Sequence, residues 1–254
     1  MKFYKYQGTG NDFVVVDDRS ETLPISQKYI ADLCHRRFGV GADGLMLLQN
    51  AEGYDFRMVY FNSDGTEGSM CGNGGRCLVR FAHDLGIIGN STTFIAVDGK
   101  HEAKVTPELI SLKMIDVNHI EQADSYDFMN TGSPHYVTYT DDLRNVDVYT
   151  QGKAIRYNEP FVSRGGTNVN FVEVLGDNTL DVRTYERGVE DETYACGTGV
   201  TACALSANLR YGFDKFVDIN VVGGKLRIEF DYTEDGYKNI FLIGPAVRVF
   251  EGEI

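Results

Sequence analysis

Two stretches of this chain pair a cysteine with a glycine-rich turn. Cys71-Gly72-Asn73-Gly74 and Cys196-Gly197-Thr198-Gly199 stand 125 positions apart, and Val97-Asp98-Gly99-Lys100 and Val222-Gly223-Gly224-Lys225 keep the same separation. A cysteine at the turn that opens a helix sits beside N–H groups with no partner in the helix and at the positive end of the macrodipole. Its thiol pKa falls from roughly 8.5 toward neutrality, so a thiolate comes within reach. The same N–H groups, bared by glycine, can cradle a carboxylate. Two such helices facing each other would hold one carboxylate between their N-termini, with a thiol on either side of the attached carbon. That chemistry is removal of a proton from one face of an α-carbon and return of one to the other. One thiolate is the base and one thiol the acid, and the N–H donors stabilise the enediolate-like charge. The scheme needs no cofactor, neither metal nor pyridoxal.

The elements that must position these groups can be read along the chain. Phe3 to Asp17 suggests two strands around the turn Gly8-Thr9-Gly10-Asn11-Asp12. A helix is expected from the Ser26 N-cap through Arg37 to a Gly39 stop. Strands are expected at Gly44–Leu48 and Tyr54–Phe61, then the turn Asn62-Ser63-Asp64-Gly65. After Cys71, the spacing of Cys77, Leu78, Phe81, Ala82 and Leu85 is helical, and Gly86 closes the element. Residues from Thr92 to Val117 alternate as a hairpin about Asp98-Gly99 with one further strand. The second half repeats the order: a strand from Asn178 to Tyr185, Cys196, a helix through Ala202, Cys203, Leu205 and Leu209, paired strands around Gly223-Gly224, and a last strand from Asn239. The junction falls in the polar, weakly periodic stretch from Val117 to Tyr126.

Composition narrows the partners. A net charge of −13 argues against nucleic acid or an anionic membrane, since both require clustered Lys and Arg. No stretch approaches eighteen apolar residues, and the start MKFYKYQGTG lacks the apolar core of a signal peptide. The five cysteines are sparse and odd in number, which fits a reducing cytosol better than a secreted disulfide framework. Their spacings contain no C-x₂-C pair, so zinc is not expected. Cys34, Cys77 and Cys203 stand at core spacing and suggest packing. Gly8-Thr9-Gly10 lacks the third glycine and following helix of a dinucleotide loop, and Glu190-Asp191-Glu192 suggests solvated charge.

A set of longer motifs carries a resemblance. They are Gly8-Thr9-Gly10-Asn11-Asp12-Phe13, the run from Arg36 to Gly44, Asn62-Ser63-Asp64-Gly65 and the run from Met70 to Cys77. Gly132-Ser133-Pro134-His135, Asn168-Val169-Asn170-Phe171, Glu186-Arg187-Gly188 and Ala195-Cys196-Gly197-Thr198-Gly199 complete the set. In these, and over essentially its whole length, the chain resembles the diaminopimelate epimerases; the cysteine pair alone would be shared with proline-type racemases. The resemblance implies an α+β (mixed α/β) fold of two pseudo-symmetric halves, each a β-rich half-barrel around a central helix, with the active site in the cleft between them. Residues 1–118 would form the first half, completed by a strand at 245–254, and residues 119–254 the second. The implied reaction is cofactor-independent interconversion of LL- and meso-2,6-diaminopimelate, on the route to lysine and peptidoglycan, in a cytoplasmic enzyme and homodimer.

Carried over by motif, Cys71 and Cys196 are the acid/base thiols. Gly72, Asn73, Gly197 and Thr198 bind the reacting carboxylate. Asn62, Asn168 and Arg187 hold the distal amino acid group, Glu186 and His135 are the polar pair beside the thiols, and Asn11 completes the pocket. Chemistry agrees: a substrate with two zwitterionic ends needs an Arg for the far carboxylate and acceptors for its ammonium groups. Three departures stand out. The segment from Glu186 to Cys196 is one residue longer than the commonest family form, which has a second Gly where Glu190-Asp191 stand. Gly44 and Ser133 stand where some members have Gln and Asn. The alternatives are a proline or hydroxyproline racemase-like enzyme, for which Arg187, Asn62 and Asn168 would be superfluous, and a non-catalytic thiol redox protein.

Overall fold

The computed structural model describes residues 1–23 and 25–254. The chain divides into two compact units, Met1–Leu112 with Gly244–Ile254, and Lys113–Ile243. The first contains β1 (Lys2–Gly8), β2 (Asn11–Asp17), α1 (Gln27–Cys34), β3 (Gly44–Gln49), β4 (Arg57–Asn62), α2 (Gly72–Asp84), β5 (Ser91–Ala96), β6 (Gly99–Val105) and β7 (Ile110–Lys113). Its sheet begins with the C-terminal strand Val247–Glu253, which pairs antiparallel with β1, and continues in order from β1 to β7. The steps β2–β3 and β4–β5 are parallel and the others antiparallel.

The sheet wraps α2, which is buried from Gly72 through Ala82. Phe81 of this helix meets the rings of Tyr4 and Tyr6 at 4.9 and 5.8 Å, and the Tyr6 hydroxyl donates to Asp84 at 2.6 Å. A smaller cluster beside it packs Ile30, Leu33 and Cys34 of α1 on Val14, Val16, Leu45 and Leu47.

The second unit contains β8 (Ile120–Gln122), β9 (Asp127–Asn130), β10 (Pro134–Tyr139), α3 (Val148–Arg156), β11 (Asn168–Gly176), β12 (Thr179–Glu186), β13 (Asp191–Thr193), α4 (Gly197–Tyr211), β14 (Phe216–Val221), β15 (Gly224–Thr233) and β16 (Gly236–Gly244). Pairing runs β8–β9–β10–β11–β12–β14–β15–β16, parallel at β10–β11 and β12–β14, with β13 added to β12. The two units therefore repeat one pattern of parallel and antiparallel steps around one buried helix. This is the mixed α+β class the motifs implied. Its core gathers Val200, Ala202, Cys203, Ala204, Leu205 and Ala207 of α4 with Val137, Val172, Val182, Ile219, Ile228 and Leu242 of the sheet. Alanine and cysteine on α4 keep the helix thin enough to be enclosed.

Several elements depart from the sequence reading for definable reasons. Helix α1 ends at Cys34 because His35 turns extended, and its Nδ1 accepts from the N–H groups of Arg37 and Phe38 at 3.1 and 3.2 Å. Arg36 then turns toward carboxylates on other segments, described below. Strand β4 starts at Arg57, since the Asp55 carboxylate takes the Thr92 hydroxyl and the Thr93 N–H, each at 2.8 Å. Residues 113–118 cluster with the second unit, because the Met114 N–H donates to Ile240 O and Val117 exchanges backbone bonds with Tyr237.

One buried ion pair anchors the helix that begins after Cys196. Asp127 on β9, whose side chain is fully buried, accepts from Arg210 at 2.7 and 2.8 Å and from Ser206 at 2.5 Å, both on α4. Removing one partner strands the other charge. Asp127→Ala is expected to lower stability by about 3–5 kcal/mol. Urea unfolding followed by far-ultraviolet circular dichroism, suited to a chain without tryptophan, checks this; an unchanged midpoint would show that the pair does not anchor the helix.

Candidate active site

In each unit a cysteine is the N-cap of the buried helix. Cys71 (φ −108°, ψ 122°) precedes α2 and Cys196 (φ −114°, ψ 111°) precedes α4, both extended. The first helical ladder bonds are Gly75 N–H to Cys71 O and Val200 N–H to Cys196 O. The amides of residues 72–74 and 197–199 therefore stand ahead of each ladder, where the dipole favours an anion. The glycines have a second purpose. A Cβ on Gly74 would lie 1.8 Å from Met46 Cε, and one on Gly199 would lie 2.5 Å from Asn170 Oδ1 and 3.3 Å from Cys196 Sγ. Close packing at the helix start disfavours a side chain at Gly199, and one at Gly74 would require the end of Met46 to move.

Around Cys71 the polar groups form a chain with defined directions. Its Sγ lies 3.6 Å from Asn11 Oδ1, which also accepts from Asn73 Nδ2 at 3.4 Å. Asn11 is oriented by its own Nδ2, which donates to Asp43 at 2.7 Å. Asn73 is oriented by Arg76, which donates to its Oδ1 at 3.0 Å and to Thr9 at 3.2 Å. Behind Asn11, Arg36 bridges Asp12 and Asp43 at 2.7 and 2.6 Å, and Lys5 pairs with Asp12 at 2.6 Å. Burial opposes ionisation of Asp12, but the bonds from Arg36 and Lys5 outweigh it and hold the carboxyl well below its usual range. Arg76 is fully buried; desolvation pulls its pKa down to about 10, and its Nε has no hydrogen-bond partner among the described residues. Asn62, half-buried at the end of β4, donates to Thr66 Oγ1 at 3.2 Å.

Around Cys196 the arrangement differs. Its Sγ lies 3.5 Å from Thr198 Oγ1, which in turn lies 2.8 Å from His135 Nε2. His135 Nδ1 lies 3.1 Å from Asn170 Nδ2. Burial first, and then the nearby Arg187 cation, push the His135 pKa from 6.5 down to about 3, so the ring is neutral near pH 7. Asn168 accepts from the Arg187 N–H at 2.8 Å and donates to Ser133 Oγ at 2.9 Å and Pro134 O at 2.8 Å. The exposed Arg187 guanidinium reaches Gly165 O at 3.2 Å and Ser133 Oγ at 3.4 Å. Glu186 accepts from Thr193 at 2.9 Å. Asn168 is thus the fastener that sets the Arg187 backbone, with both ends of its amide engaged inside the unit.

These features meet a family pattern. The family described as diaminopimelate epimerase matches residues 3–119 and 128–249. The chain belongs to the diaminopimelate epimerase family. It is 51% identical to the diaminopimelate epimerase of Flavobacterium psychrophilum over 257 residues, covering all of both chains. In fold it is similar to a PhzF-family phenazine biosynthesis protein of Bacillus anthracis, with a TM-score of 0.77 at 14% identity, covering 100% of this chain and 98% of the other. It is also similar to a probable proline racemase of Agrobacterium radiobacter, with a TM-score of 0.70 at 13% identity over 100% of this chain and 92% of the other.

The departures from the family pattern now have structural accounts. Glu190, in the longer segment before Cys196, adopts φ 60°, a conformation that favours glycine. Its carboxylate pairs with Arg156 at 2.7 Å and accepts from Tyr157 and Tyr185 at 2.9 and 3.1 Å, bonds that offset the backbone cost. The expectation of solvated charge is corrected here: Glu190 is tied by these bonds, and Glu192 pairs with Arg183 at 2.7 Å. At Gly44 a Cβ would lie 2.4 Å from Phe61 O, so no longer side chain fits. Ser133, set aside in the sequence, links Asn168 to Arg187. Asp43, Arg76, Asn170 and Thr184 join these networks as well, although residue type alone assigns them no role. A polar residue at every second position of a buried strand, as at Asn168 and Asn170 of β11, was the signal available. Among the described residues no group of three or more His, Cys, Asp and Glu side chains is placed to hold a metal, and no helix is long and apolar enough to cross a membrane.

His135 yields a test. The unfolded imidazole binds a proton below 6.5 and the native one only near 3, so stability falls as pH drops through that window. In the native protein the His135 ring resonances are expected to show no inflection between about pH 5 and 8; a midpoint near 6.5 would refute the buried neutral ring.

Proposed function

We propose that this chain interconverts LL- and meso-2,6-diaminopimelate, with Cys71 and Cys196 as the acid/base pair. The observation that carries the reading is the matched placement of a thiol at the N-cap of each buried helix. The family membership supplies the substrate. An α-proton is very weakly acidic, and its removal needs the carboxylate beside it stabilised as negative charge spreads onto it. The amides of Gly72 and Asn73, and of Gly197 and Thr198, are the donors placed for that task. Inversion then requires a base on one face of the α-carbon and an acid on the other. One thiolate takes the proton, the other thiol delivers its own, and the two sulfurs exchange protonation state with each turnover.

The remaining residues recognise the substrate. Arg187, carried by Asn168 and Ser133, offers two donors to the distal carboxylate. Asn11, Asn62 and Glu186 supply oxygen acceptors for the ammonium groups, and His135 tunes the thiol chemistry. We place the enzyme in the cytoplasm as a homodimer. Its sparse cysteines suit a reducing compartment, and the C-terminal strand exposes Val247, Val249 and Phe250.

The decisive experiment is proton NMR of meso-diaminopimelate with the reduced protein in D₂O. Deuterium entry at the α-position with appearance of the LL-isomer is expected, falling at least about 10²-fold in Cys71→Ala and in Cys196→Ala. Exchange with L-proline and none with diaminopimelate would move the chain to the racemase reading; exchange with neither would sink both. Arg187→Ala is expected to raise KM for diaminopimelate at least about tenfold, and an unchanged KM would remove Arg187 from the distal site.

A further inference from the structure

The hydrogen bonds behind Cys196 can be followed donor by donor. Asn170 is fully buried, and its orientation is fixed at both ends. Its Nδ2 faces the Tyr136 carbonyl at 2.9 Å, which can only accept, and its Oδ1 accepts from the Thr184 hydroxyl at 3.0 Å. The second Nδ2 hydrogen therefore points at His135 Nδ1, 3.1 Å away. That nitrogen must be the bare one of a neutral ring, leaving the proton on Nε2. Nε2–H then donates to Thr198 Oγ1 at 2.8 Å. A hydroxyl that receives on one side has its own proton to give, and Cys196 Sγ lies 3.5 Å from it. We infer that the relay Thr184–Asn170–His135–Thr198, buried as far as His135, directs a hydrogen bond onto Cys196, holding it as the thiolate of the resting pair, with Asn170 as the positioning residue.

Cys71 meets the opposite polarity. Asn11 turns its oxygen to that sulfur, because its Nδ2 is taken by Asp43 and its Oδ1 already faces the Asn73 amide. An oxygen acceptor suits a protonated thiol. Gly199 belongs to the device, since any Cβ there would strike Asn170 Oδ1. Two other titratable groups in this unit bear on the relay. Arg187 helps keep His135 neutral, and Cys203, its ionisation opposed first by burial and then by Cys196, stays protonated. The inference rests on the proposed two-thiol reaction for its meaning, but its geometry can be tested without turnover.

The test has two parts. First, ¹⁵N NMR of the histidine rings in the reduced protein is expected to show His135 with Nε2 protonated and Nδ1 bare; a proton on Nδ1 would overturn the relay. Second, iodoacetamide alkylation is followed at each cysteine by mass spectrometry across pH, reading the midpoint rather than the rate so that accessibility drops out. Cys196 is expected to titrate below Cys71. Thr198→Val should raise the Cys196 midpoint by about one pH unit and leave that of Cys71 in place, whereas Thr198→Ser should restore it. Asn170→Leu should move Cys196 in the same direction and lower kcat about tenfold with KM within about threefold. A Cys196 midpoint unmoved by Thr198→Val would overturn the proposal, even if Asn170→Leu did not fold. A protein inert toward diaminopimelate that still showed the Nε2–H ring and the Thr198-dependent midpoint would support the relay while refuting the proposed reaction.

Discussion

A helix that is buried from its first residue has nowhere to expose the N–H groups that precede its own ladder. Both α2 and α4 meet this constraint, with their first residues, Gly72 and Gly197, buried. An ordinary Ser, Thr or Asp cap would satisfy one of those donors and close the end. Here the cap is cysteine, whose sulfur caps no backbone N–H of its own helix. In the proposed reaction those donors serve the substrate carboxylate, with the sulfur beside the carbon attached to it. Glycines at the next positions follow from the same enclosure, since Met46 and Asn170 press against the helix starts. Chemistry and packing thus make one demand on the sequence at these points.

The polar residues around the helix starts are themselves held by other polar residues. Asn11 is set by Asp43, which Arg36 bridges to Asp12, and Asn73 is set by Arg76. Asn168 sets Arg187, and Asn170 sets His135. Amide side chains suit this work because a wrong orientation would face donor to donor or acceptor to acceptor in a dry environment, at a cost of about 1–3 kcal/mol for each unmet group. Directed networks of this kind restrict each ring and amide to one state and leave little reorganisation for the reaction itself.

The segment before Cys196 shows how such a site tolerates variation. A left-handed backbone position is met by Glu190 in place of glycine, and Arg156, Tyr157 and Tyr185 engage its carboxylate. The Arg156 bond leads the effects that hold this carboxyl down to about 2, so it stays ionised and tethered through the neutral range. The local strain is absorbed beyond the thiol, on α3 and β12.

The thiol-bearing turns and the reaction they could serve were legible in the residues themselves, while the fold class was what the resemblance of the longer motifs implied. The turns and their chemistry rest on local signals, glycine spacing and apolar periodicity within a few consecutive residues, and on one motif that recurs 125 positions on. The helix after Cys71 could be read with its start and stop, because N-terminal and C-terminal punctuation is local. Tertiary structure alone decided which way each amide faces, why Gly44 admits no side chain, and that Glu190 is tethered. It also decided that Arg36 leaves its helix to bridge two carboxylates. In each case the deciding partner lies on another segment: Asn170 on β11 meets Thr184 on β12 and His135 on β10. A hydrogen bond has direction only when both its ends are known, and strand pairing brings those ends together.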